Sequence, residues 1–509
     1  MSTPPSESRF ASLWGATFGL FCFVVILCLP VPDGMQPGAM RLVATIVLMG
    51  IFWFTEAIPT GATSLIPLLA FPFLAILPAS EVSKQYMDQN ILLFMSGFII
   101  ALGIEKWELH RRMALHVVHR VGSNPRRLVL GFMLGTAAMS MWISNTASTL
   151  LMLPLATALL TSLGETGEDR EELDRLTPVL LLSIAYAASI GGSTTLVGTP
   201  TNLVFSKVWS TQFPEEPNIS AGQWMMLFVP VGAVLLVLAW AILSFRLPAS
   251  TKQDEKKSAY ITEKLREMGA PSQAEYLMML VFGCTALLWI FRKSITITEG
   301  FVIPGWEPWL LSKLGYFGED LNGTSWLHDS TVGIGMALLM FLIPAKGKHS
   351  ERYEPLMDWE TVKKVPWSIL FLIGGGFAIA TGAKETELSD WIGQLLVNNL
   401  TDLPVWVWVL SVCLLMTFLT EFTSNVATAS ALMPILASTA IGLNADPKLL
   451  MLPAILSTSC AFMLPIATPP NAIVYSSGKV SMRQMARAGI LLNIVFALII
   501  TAATFIWLT

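Results

Sequence analysis

Long apolar segments follow one another along nearly the whole chain, and they constrain the fold more than any other feature of the sequence. A helix needs roughly 20 mainly apolar residues to cross the hydrocarbon core of a bilayer. Only 13% of the residues are charged, whereas soluble domains average about 25%. This pattern predicts an all-α polytopic membrane protein and argues against a water-soluble enzyme. Segments that each fit one crossing lie at 11–30, 40–57, 62–78, 90–104, 223–245, 275–291, 331–344, 367–383 and 488–508.

Four further apolar segments are too long for one plain crossing, and each has Gly, Pro, Ser, Thr or Asn near its middle. We interpret 128–162 and 405–443 as re-entrant hairpins, which enter the membrane and return on the same side. We interpret 177–207 and 448–478 as membrane helices that are interrupted part-way. The sequence thus predicts eleven transmembrane helices plus two re-entrant hairpins.

Lys and Arg are distributed unevenly between the connecting segments, and cytoplasmic connections normally carry an excess of both. With a cytoplasmic N-terminus, 23 of the 31 Lys and Arg fall on the inner side. We therefore predict a cytoplasmic N-terminus and, after eleven crossings, an external C-terminus. The expected location is the plasma membrane, which in a bacterium is the inner membrane. The net charge of −4 gives no basic surface for nucleic acid.

Two polar segments, 105–127 and 384–404, are predicted to be helices that lie along the membrane surface, the first inside and the second outside. The first also contains His110, His116 and His119. A metal site is one interpretation of these histidines. A basic helix that faces lipid head groups is the interpretation that we prefer.

The chain contains an internal repeat. Hairpin and helix-break motifs recur in the same order, at offsets of 280 and 269 residues, and the difference is explained by an acidic loop at 164–172 that the second half lacks. Because the two predicted hairpins enter from opposite sides, the repeats are inverted, which is a recurring plan in secondary transporters. The matching motifs are Ser144-Asn145-Thr146 with Ser424-Asn425-Val426, and Gly198-Thr199-Pro200 with Ala467-Thr468-Pro469.

These motifs have the chemistry of a joint anion and cation site. Ser, Asn and Thr at a hairpin tip can cap the returning helix, whose N-terminus presents N–H donors and a positive dipole end to an anion. A helix break frees carbonyl oxygens, which suit a hard cation such as Na⁺. The alternative is that the motifs are only caps and proline kinks. Neither tips nor breaks contain Lys, Arg or His, so binding of an anion there would depend on bound cations.

Glu421 is the one acidic residue close to a hairpin tip. It can support a cation site electrostatically, since acidic residues buried in membranes are usually functional. It can equally be a hydrogen-bonded structural acid. The sequence leaves both interpretations open.

Together with Thr55-Glu56-Ala57-Ile58-Pro59, the paired motifs resemble those of the divalent anion/Na⁺ symporter family. That family includes INDY-type bacterial carriers and mammalian Na⁺-coupled dicarboxylate and citrate transporters. The resemblance covers roughly residues 11–508. It implies a homodimer in which each chain has a scaffold domain and an elevator-type transport domain, joined by the two surface helices as arms.

The resemblance also implies a division of the chain into domains. The scaffold would comprise helices 1–4 at 1–104 and helices 7–9 at 273–383. The transport domain would comprise 128–246 (hairpin, broken helix 5 and helix 6) and 405–509 (hairpin, broken helix 10 and helix 11). The cytoplasmic arm would be 105–127, the external arm 384–404, and a cytoplasmic loop would occupy 247–272.

The same resemblance implies the ligands of at least two Na⁺ ions, a substrate site and no organic cofactor. The first Na⁺ would be bound by Ser140, Ser144, Asn145 and the carbonyl of Gly198. The second would be bound around Thr420, Thr423, Asn425 and the carbonyl of Ala467. The substrate would contact Ser144, Asn145, Thr146, Thr199, Pro200, Ser424, Asn425, Val426, Thr468 and Pro469. Val426 departs from bacterial relatives with Ser-Asn-Thr twice, because it lacks a hydroxyl.

The predicted function is therefore Na⁺-coupled import of C4-dicarboxylates such as succinate, malate and fumarate. A Na⁺-independent dicarboxylate exchanger and a symporter that prefers sulfate or citrate are the alternatives within transport. A polytopic membrane enzyme is a remote alternative. All five His lie in predicted surface segments, and the sequence contains no H-E-x-x-H or G-x-S-x-G motif.

Overall fold

The chain folds almost entirely into helices in a computed structural model. The structure describes residues 6–122, 124–165, 170–248, 254–298, 301–314, 326–347, 352–400 and 404–508. Residues 166–169 of the acidic loop, on which the change of repeat offset depends, lie outside this part of the chain.

The first part of the chain contains six helices before the first surface segment. The predicted continuous helix at 62–78 is wrong, because the structure divides it into α3 and α4. Pro67 lies in the first turn of α4, where its missing N–H costs no helical hydrogen bond, so this position favours the start of a new helix. The helices are α1 (Ser6–Cys28), α2 (Pro37–Thr55), α3 (Thr60–Thr63), α4 (Ile66–Phe73), α5 (Ala79–Gln85) and α6 (Gln89–Lys106).

The first repeat follows, with helix ends at the positions of the two motifs. The chain between α8 and α9 forms the first hairpin tip, and the chain between α10 and α11 forms the first helix break. The helices are α7 (Leu109–Val121), α8 (Pro125–Ser140), α9 (Asn145–Glu165), α10 (Arg170–Ser193), α11 (Pro200–Gln212) and α12 (Ala221–Ser244).

The middle of the chain is more structured than predicted. The loop predicted at 247–272 contains the helix α13, whose sequence is rich in good helix formers and whose last turn carries the Lys264–Glu267 ion pair. Two short antiparallel strand pairs, β1–β2 and β3–β4, were not predicted. The elements are α13 (Asp254–Glu267), α14 (Gln273–Ile290), β1 (Ile295–Thr298), β2 (Phe301–Ile303), α15 (Trp306–Lys313), α16 (Asp329–Leu342), β3 (Pro344–Ala345), β4 (Glu354–Pro355), α17 (Trp359–Val362) and α18 (Trp367–Glu385).

The second repeat reproduces the order of the first, from a 13-residue helix through two helices joined at a tip and a broken helix to a last long helix. The second tip lies between α20 and α21, and the second break lies between α22 and α23. The helices are α19 (Leu388–Leu400), α20 (Val405–Leu419), α21 (Asn425–Gly442), α22 (Lys448–Ser457), α23 (Pro469–Ser476) and α24 (Met482–Leu508).

Nine helices in the described part of the chain are long and apolar enough to cross a membrane. This number supports a polytopic membrane protein. Five further apolar helices are shorter, and they include the first arms of the second hairpin and of the second broken helix. The count of eleven crossings plus two hairpins therefore stays a prediction.

The two repeats share one buried core, which places their motifs side by side. Tyr186 on α10 is fully buried, and its hydroxyl donates to the carbonyl oxygen of Phe462 in the second helix break at 2.8 Å. The two rings lie 4.8 Å apart between centroids. A contact between residues so distant in sequence fixes one broken helix against the other.

Polar contacts attach α7 and the end of α6 to neighbouring parts of the chain outside the repeats. Nε of Arg112 lies 2.5 Å from Oε2 of Glu275 on α14, and both side chains are buried. Lys106 lies 2.6 Å from Asp358, and its hydrogen bond lowers the pKa of that carboxyl to about 2. His110 is also buried, with Nδ1 3.2 Å from the carbonyl oxygen of Ile104. Among the described residues, no three His, Cys, Asp or Glu are grouped to hold a metal ion, so the metal interpretation of the histidines has no support.

Candidate substrate and cation site

Both hairpin tips and both helix breaks line a single cavity of about 850 Å³. The structure thus brings together four segments that lie up to 326 residues apart in the chain, between Ser144 and Pro470. Ser140 and Thr420 are not on the wall but are fully buried behind the tips. The predicted residues on the wall are Ser144, Asn145, Thr146, Gly198, Thr199, Pro200, Thr423, Ser424, Asn425, Val426, Ala467, Thr468 and Pro469.

Three of the four oxygen atoms predicted to bind the first Na⁺, those of Ser140, Asn145 and Gly198, are close together at the first tip. Oγ of Ser140 lies 2.7 Å from Oδ1 of Asn145 and 2.7 Å from the carbonyl oxygen of Ala188. An ideal Cβ atom on Gly192 would lie 2.1 Å from Oδ1 of Asn145 and 3.1 Å from the carbonyl oxygen of Gly198. Hydroxyl, amide and carbonyl oxygens therefore converge beside Gly192, and this all-oxygen set fits a hard monovalent cation.

The second tip reproduces this arrangement. Oγ1 of Thr420 donates to Oδ1 of Asn425 and lies 3.3 Å from the carbonyl oxygen of Thr458. The hydroxyl and the amide are again five residues apart, at an offset of 280 from the first pair. The hydroxyl of Thr423 lies 2.6 Å from that of Thr428, so the second tip carries an additional hydroxyl pair. The hydroxyl, amide and carbonyl oxygens at the second tip therefore also fit a hard cation.

Two asparagines that the sequence analysis assigned no role hold the helix breaks open. Nδ2 of Asn202 donates to the carbonyl oxygen of Thr195 at 2.7 Å and to that of Ser193 at 3.1 Å. Nδ2 of Asn471 donates to the carbonyl oxygens of Ala461 and Leu464, each at 3.0 Å. Both asparagines are fully buried and follow the break proline of their repeat by one or two residues. Both asparagines occupy the same position relative to the break motif of their repeat, and this match was the feature of the sequence that could have identified them.

Glu421 is buried, with only 1% of its surface exposed, and its carboxylate binds the second helix break. Oε1 accepts hydrogen bonds from the backbone N–H groups of Phe462 at 2.8 Å and Met463 at 2.9 Å, and Oε2 accepts one from Leu464 at 3.0 Å. Nδ2 of Asn493 on α24 also donates to Oε1 at 2.7 Å. These contacts describe a hydrogen-bonded structural acid. Because Glu421 directly follows Thr420, the same contacts also support the second oxygen group, which comprises the hydroxyl of Thr420 and the amide oxygen of Asn425.

The cavity has almost no side-chain charge. Glu56 is the one ionisable side chain among the described residues on its wall, and it lies at the end of α2 with a left-handed backbone conformation (φ 49°). In the sequence, Glu56 stands out only as part of the motif Thr55-Glu56-Ala57-Ile58-Pro59, and it was not predicted to belong to the site. No Lys, Arg or His was expected at the tips and breaks, and none lines the described wall.

Four helix N-termini compensate for the absence of basic side chains. Helix α9 begins at Asn145, α21 at Asn425, α11 at Pro200 and α23 at Pro469, and all four residues line the cavity. Each N-terminus carries about half a positive charge from its helix dipole. Free N–H donors are to be expected at α9 and α21, because α11 and α23 begin with prolines, which have no N–H. The cavity is therefore suited to an anion that carries more than one negative charge.

Comparison with known proteins decides the family. The profile of the sodium:sulfate symporter transmembrane region matches residues 10–509. The chain belongs to the sodium:sulfate symporter family. The predicted resemblance to the divalent anion/Na⁺ symporters is thereby confirmed, and so is the prediction that the chain is a transporter rather than an enzyme.

Members of the sodium:sulfate symporter family with curated functions match nearly the full chain. The sodium-dependent dicarboxylate transporter SdcS of Staphylococcus saprophyticus is 36% identical over 502 residues, which cover 97% of this chain and 91% of the relative. The protein of the same name from Staphylococcus aureus is 35% identical over 495 residues, which cover 96% of this chain and 89% of the relative.

Solved structures of other transporters have a similar fold. The Alcanivorax borkumensis YdaH transporter covers 98% of this chain and 98% of its own, with a TM-score of 0.52 and 12% sequence identity. Neisseria gonorrhoeae MtrF covers 96% and 97%, with a TM-score of 0.51 and 13% identity. At these identities the likeness concerns the fold alone.

Proposed function

We propose that this chain is a secondary active transporter that imports C4-dicarboxylates, succinate first, together with Na⁺. The observation that carries the proposal is the cavity itself. Two matching oxygen groups and four helix N-termini surround it, and no basic side chain lines its described wall. The relatives named as sodium-dependent dicarboxylate transporters support the same assignment.

The two tips suit the two ends of a dicarboxylate. One carboxylate would accept hydrogen bonds from Ser144, Asn145 and Thr146 at the start of α9. The other would be bound by Ser424 and Asn425 at the start of α21. The breaks would add Thr199, Pro200, Thr468 and Pro469. Val426 lines the cavity without a hydroxyl, so the second tip offers one donor fewer than the first.

Na⁺ would bind at each oxygen group. The first ion would be held by Ser140, Ser144, Asn145 and the carbonyl of Gly198. The second would be held by Thr420, Thr423, Asn425 and the carbonyl of Ala467. Because these groups lie at the same tips as the substrate donors, each Na⁺ would attract the dianion that the neutral site holds weakly. This proximity couples the two, without any organic cofactor.

Coupling to several Na⁺ makes the membrane potential a driving force. If more than two Na⁺ accompany a dianion, each cycle moves net positive charge inward. Each such charge gains ~2.3 kcal/mol per 100 mV of membrane potential. This free energy is sufficient for accumulation of the substrate against its gradient.

The proposal includes the architecture that the family resemblance implies. It comprises eleven crossings with two hairpins, a cytoplasmic N-terminus, a plasma-membrane location, a homodimer and an elevator-type transport domain with the boundaries predicted above. The attachment of α7 to α14 through Arg112 and Glu275 supports its role as an arm of the scaffold. At the other arm, Nε1 of Trp391 donates to the carbonyl oxygen of Asp33 at 3.1 Å.

Uptake by proteoliposomes tests the proposal. Purified protein should accumulate labelled succinate when an inward Na⁺ gradient is imposed and should not do so when choline replaces Na⁺. Equal uptake in choline would overturn symport, and counterflow from succinate-loaded vesicles without Na⁺ would favour an exchanger instead. Competition by unlabelled malate, fumarate, citrate and sulfate would then rank the substrates.

A further inference from the structure

Helix α11, which begins at the first helix break, is attached to the start of α6 by two neighbouring polar contacts. Nζ of Lys207 lies 2.8 Å from Oδ2 of Asp88, with only 13% and 14% of the two side chains exposed. One residue earlier on α11, Oγ of Ser206 donates to Oδ1 of Asn90 at 3.1 Å. These residues lie one to two turns beyond Thr199 and Pro200, so the contacts hold the element that carries part of the substrate site.

Both members of the ion pair have a second partner that fixes their position. Oδ1 of Asp88 caps α6 by accepting a hydrogen bond from the N–H of Asn90 at 2.9 Å. Lys207 lies over the ring of Phe377 on α18, with Nζ 5.8 Å from the ring centroid. Lys207 is thus held between α6 and α18, two helices that the predicted domain boundaries place in the scaffold.

The counterpart of α11 in the second repeat is α23, and it has no such contact. Within the described residues, every hydrogen bond of α23 stays between residues 461 and 478. Tyr475 on α23 is 41% exposed, whereas Val208 and Trp209 on α11 are buried. The two repeats therefore have the same elements in different environments: α11 is packed on α6 and α18, and α23 is not.

This difference has a physical interpretation if the chain transports as proposed. In the elevator-type arrangement proposed above, the transport domain carries the site and moves against the scaffold, and the two inverted repeats relate its two end states. The packed helix and the exposed helix would then exchange environments between the two end states. Any contact made only by α11 must consequently break in each cycle.

We propose that Asp88 and Lys207 are a positioning pair, which seats α11 and the first helix break against α6 in this conformation and separates during each transport cycle. The inference rests on the proposed function for the cycle, but the seating of α11 can be measured without transport. The pair lies between an element of the substrate site and the scaffold, so it sets the equilibrium between the two conformations.

The chemistry of a poorly exposed ion pair makes the proposal testable. Removal of one charge leaves the other without a partner in a site of low exposure, which is strongly unfavourable, whereas removal of both charges is not. Asp88→Asn removes the charge but keeps a side chain that caps helices well. Lys207→Gln removes the opposite charge. The double variant completes a double-mutant cycle for the pair.

Asp358→Asn is the matched control. Asp358 also caps a helix, accepting from the N–H of Thr361 at 2.8 Å, and it also pairs with a lysine, Lys106, at 2.6 Å. Both of its partners lie outside the two repeats. Loss of this pair should affect the scaffold and should leave the seating of α11 unchanged.

Hydrogen–deuterium exchange of the full-length protein in lipid nanodiscs, read on peptides that cover 200–212, tests the inference. Each single variant should exchange at least tenfold faster in α11 than the parent protein, and the double variant should be slower than either single variant. Exchange in α11 of Asp358→Asn should equal that of the parent. Unchanged α11 exchange in Asp88→Asn, independent effects in the cycle, or equal acceleration in the control would each overturn the proposal. Because exchange requires no substrate, a failure of succinate uptake would leave this result intact.

Discussion

The carboxylate of Glu421 provides the sharpest prediction for the cation sites. It binds three consecutive backbone N–H groups of the second helix break and the amide of Asn493. That break continues to Ala467, whose carbonyl is proposed to bind the second Na⁺. Glu421→Gln is the smallest change that alters these bonds, because it keeps the shape of the side chain and removes one acceptor oxygen.

The magnitude follows from the contacts. The glutamine oxygen can keep the partners of Oε1, but its NH₂ group then faces the N–H of Leu464, which is also a donor. A hydrogen bond to a charged group contributes about 1.5–3 kcal/mol, so at least that much is lost from the ordered break. Since 1.4 kcal/mol corresponds to about a tenfold change in an equilibrium constant, we expect the Na⁺ concentration for half-maximal uptake to rise at least about tenfold.

The variant should still fold, because neutralising a buried charge also removes its desolvation cost. Initial rates of succinate uptake measured across a range of Na⁺ concentrations give the half-saturation value. Glu275→Gln is the matched control, since Glu275 is a buried acid that pairs with Arg112 away from the cavity. It should lower thermal stability and leave the Na⁺ dependence unchanged. A folded Glu421→Gln protein with the half-saturation concentration of the parent would refute the reasoning.

Three further predictions concern the cavity wall and the oxygen atoms behind the first tip. Asn145→Ala and Asn425→Ala should each abolish uptake in folded protein, and retained transport in both would remove the site assignment. Gly192→Ala should raise the Na⁺ concentration for half-maximal uptake at least about tenfold, since its Cβ would lie 2.1 Å from the amide oxygen of Asn145. Sodium titrations of uptake would contradict this if the curve did not move. Glu56→Gln should require a Na⁺ concentration about two- to tenfold higher, because it removes the one negative charge on the described wall and so lowers local cation concentration. An unchanged Na⁺ curve would show that Glu56 does not attract cations.

Local patterns in the sequence were sufficient to identify the motifs that form the site. The residues around Ser144 and Ser424 are short, repeated and polar within apolar segments, so they predict helix interruptions without knowledge of the rest of the fold. The structure places both tips and both breaks on one cavity, so the matching motifs do form one site. The contact between a hydroxyl and an amide at each tip could also be predicted, because the two residues of each pair are only five positions apart in the sequence.

Contacts between distant parts of the chain could not be predicted in the same way. Nothing local to Glu421 indicates that its hydrogen-bond donors lie 41–72 residues away, and nothing local to Lys207 indicates Asp88, 119 residues earlier. The break at Pro67 was missed for a different reason. The segment around it is uniformly apolar, so hydropathy alone favoured one continuous helix, although a proline is also typical of the first turn of a new helix.

Direct binding of succinate to the purified protein tests the central claim, that the anion site depends on Na⁺. We expect isothermal titration calorimetry to detect succinate binding in Na⁺ buffer and none in choline buffer of equal ionic strength. By linkage, saturating succinate should then raise the affinity for Na⁺ by the same factor by which Na⁺ raises the affinity for succinate. Equal succinate affinity in the two buffers would contradict the account.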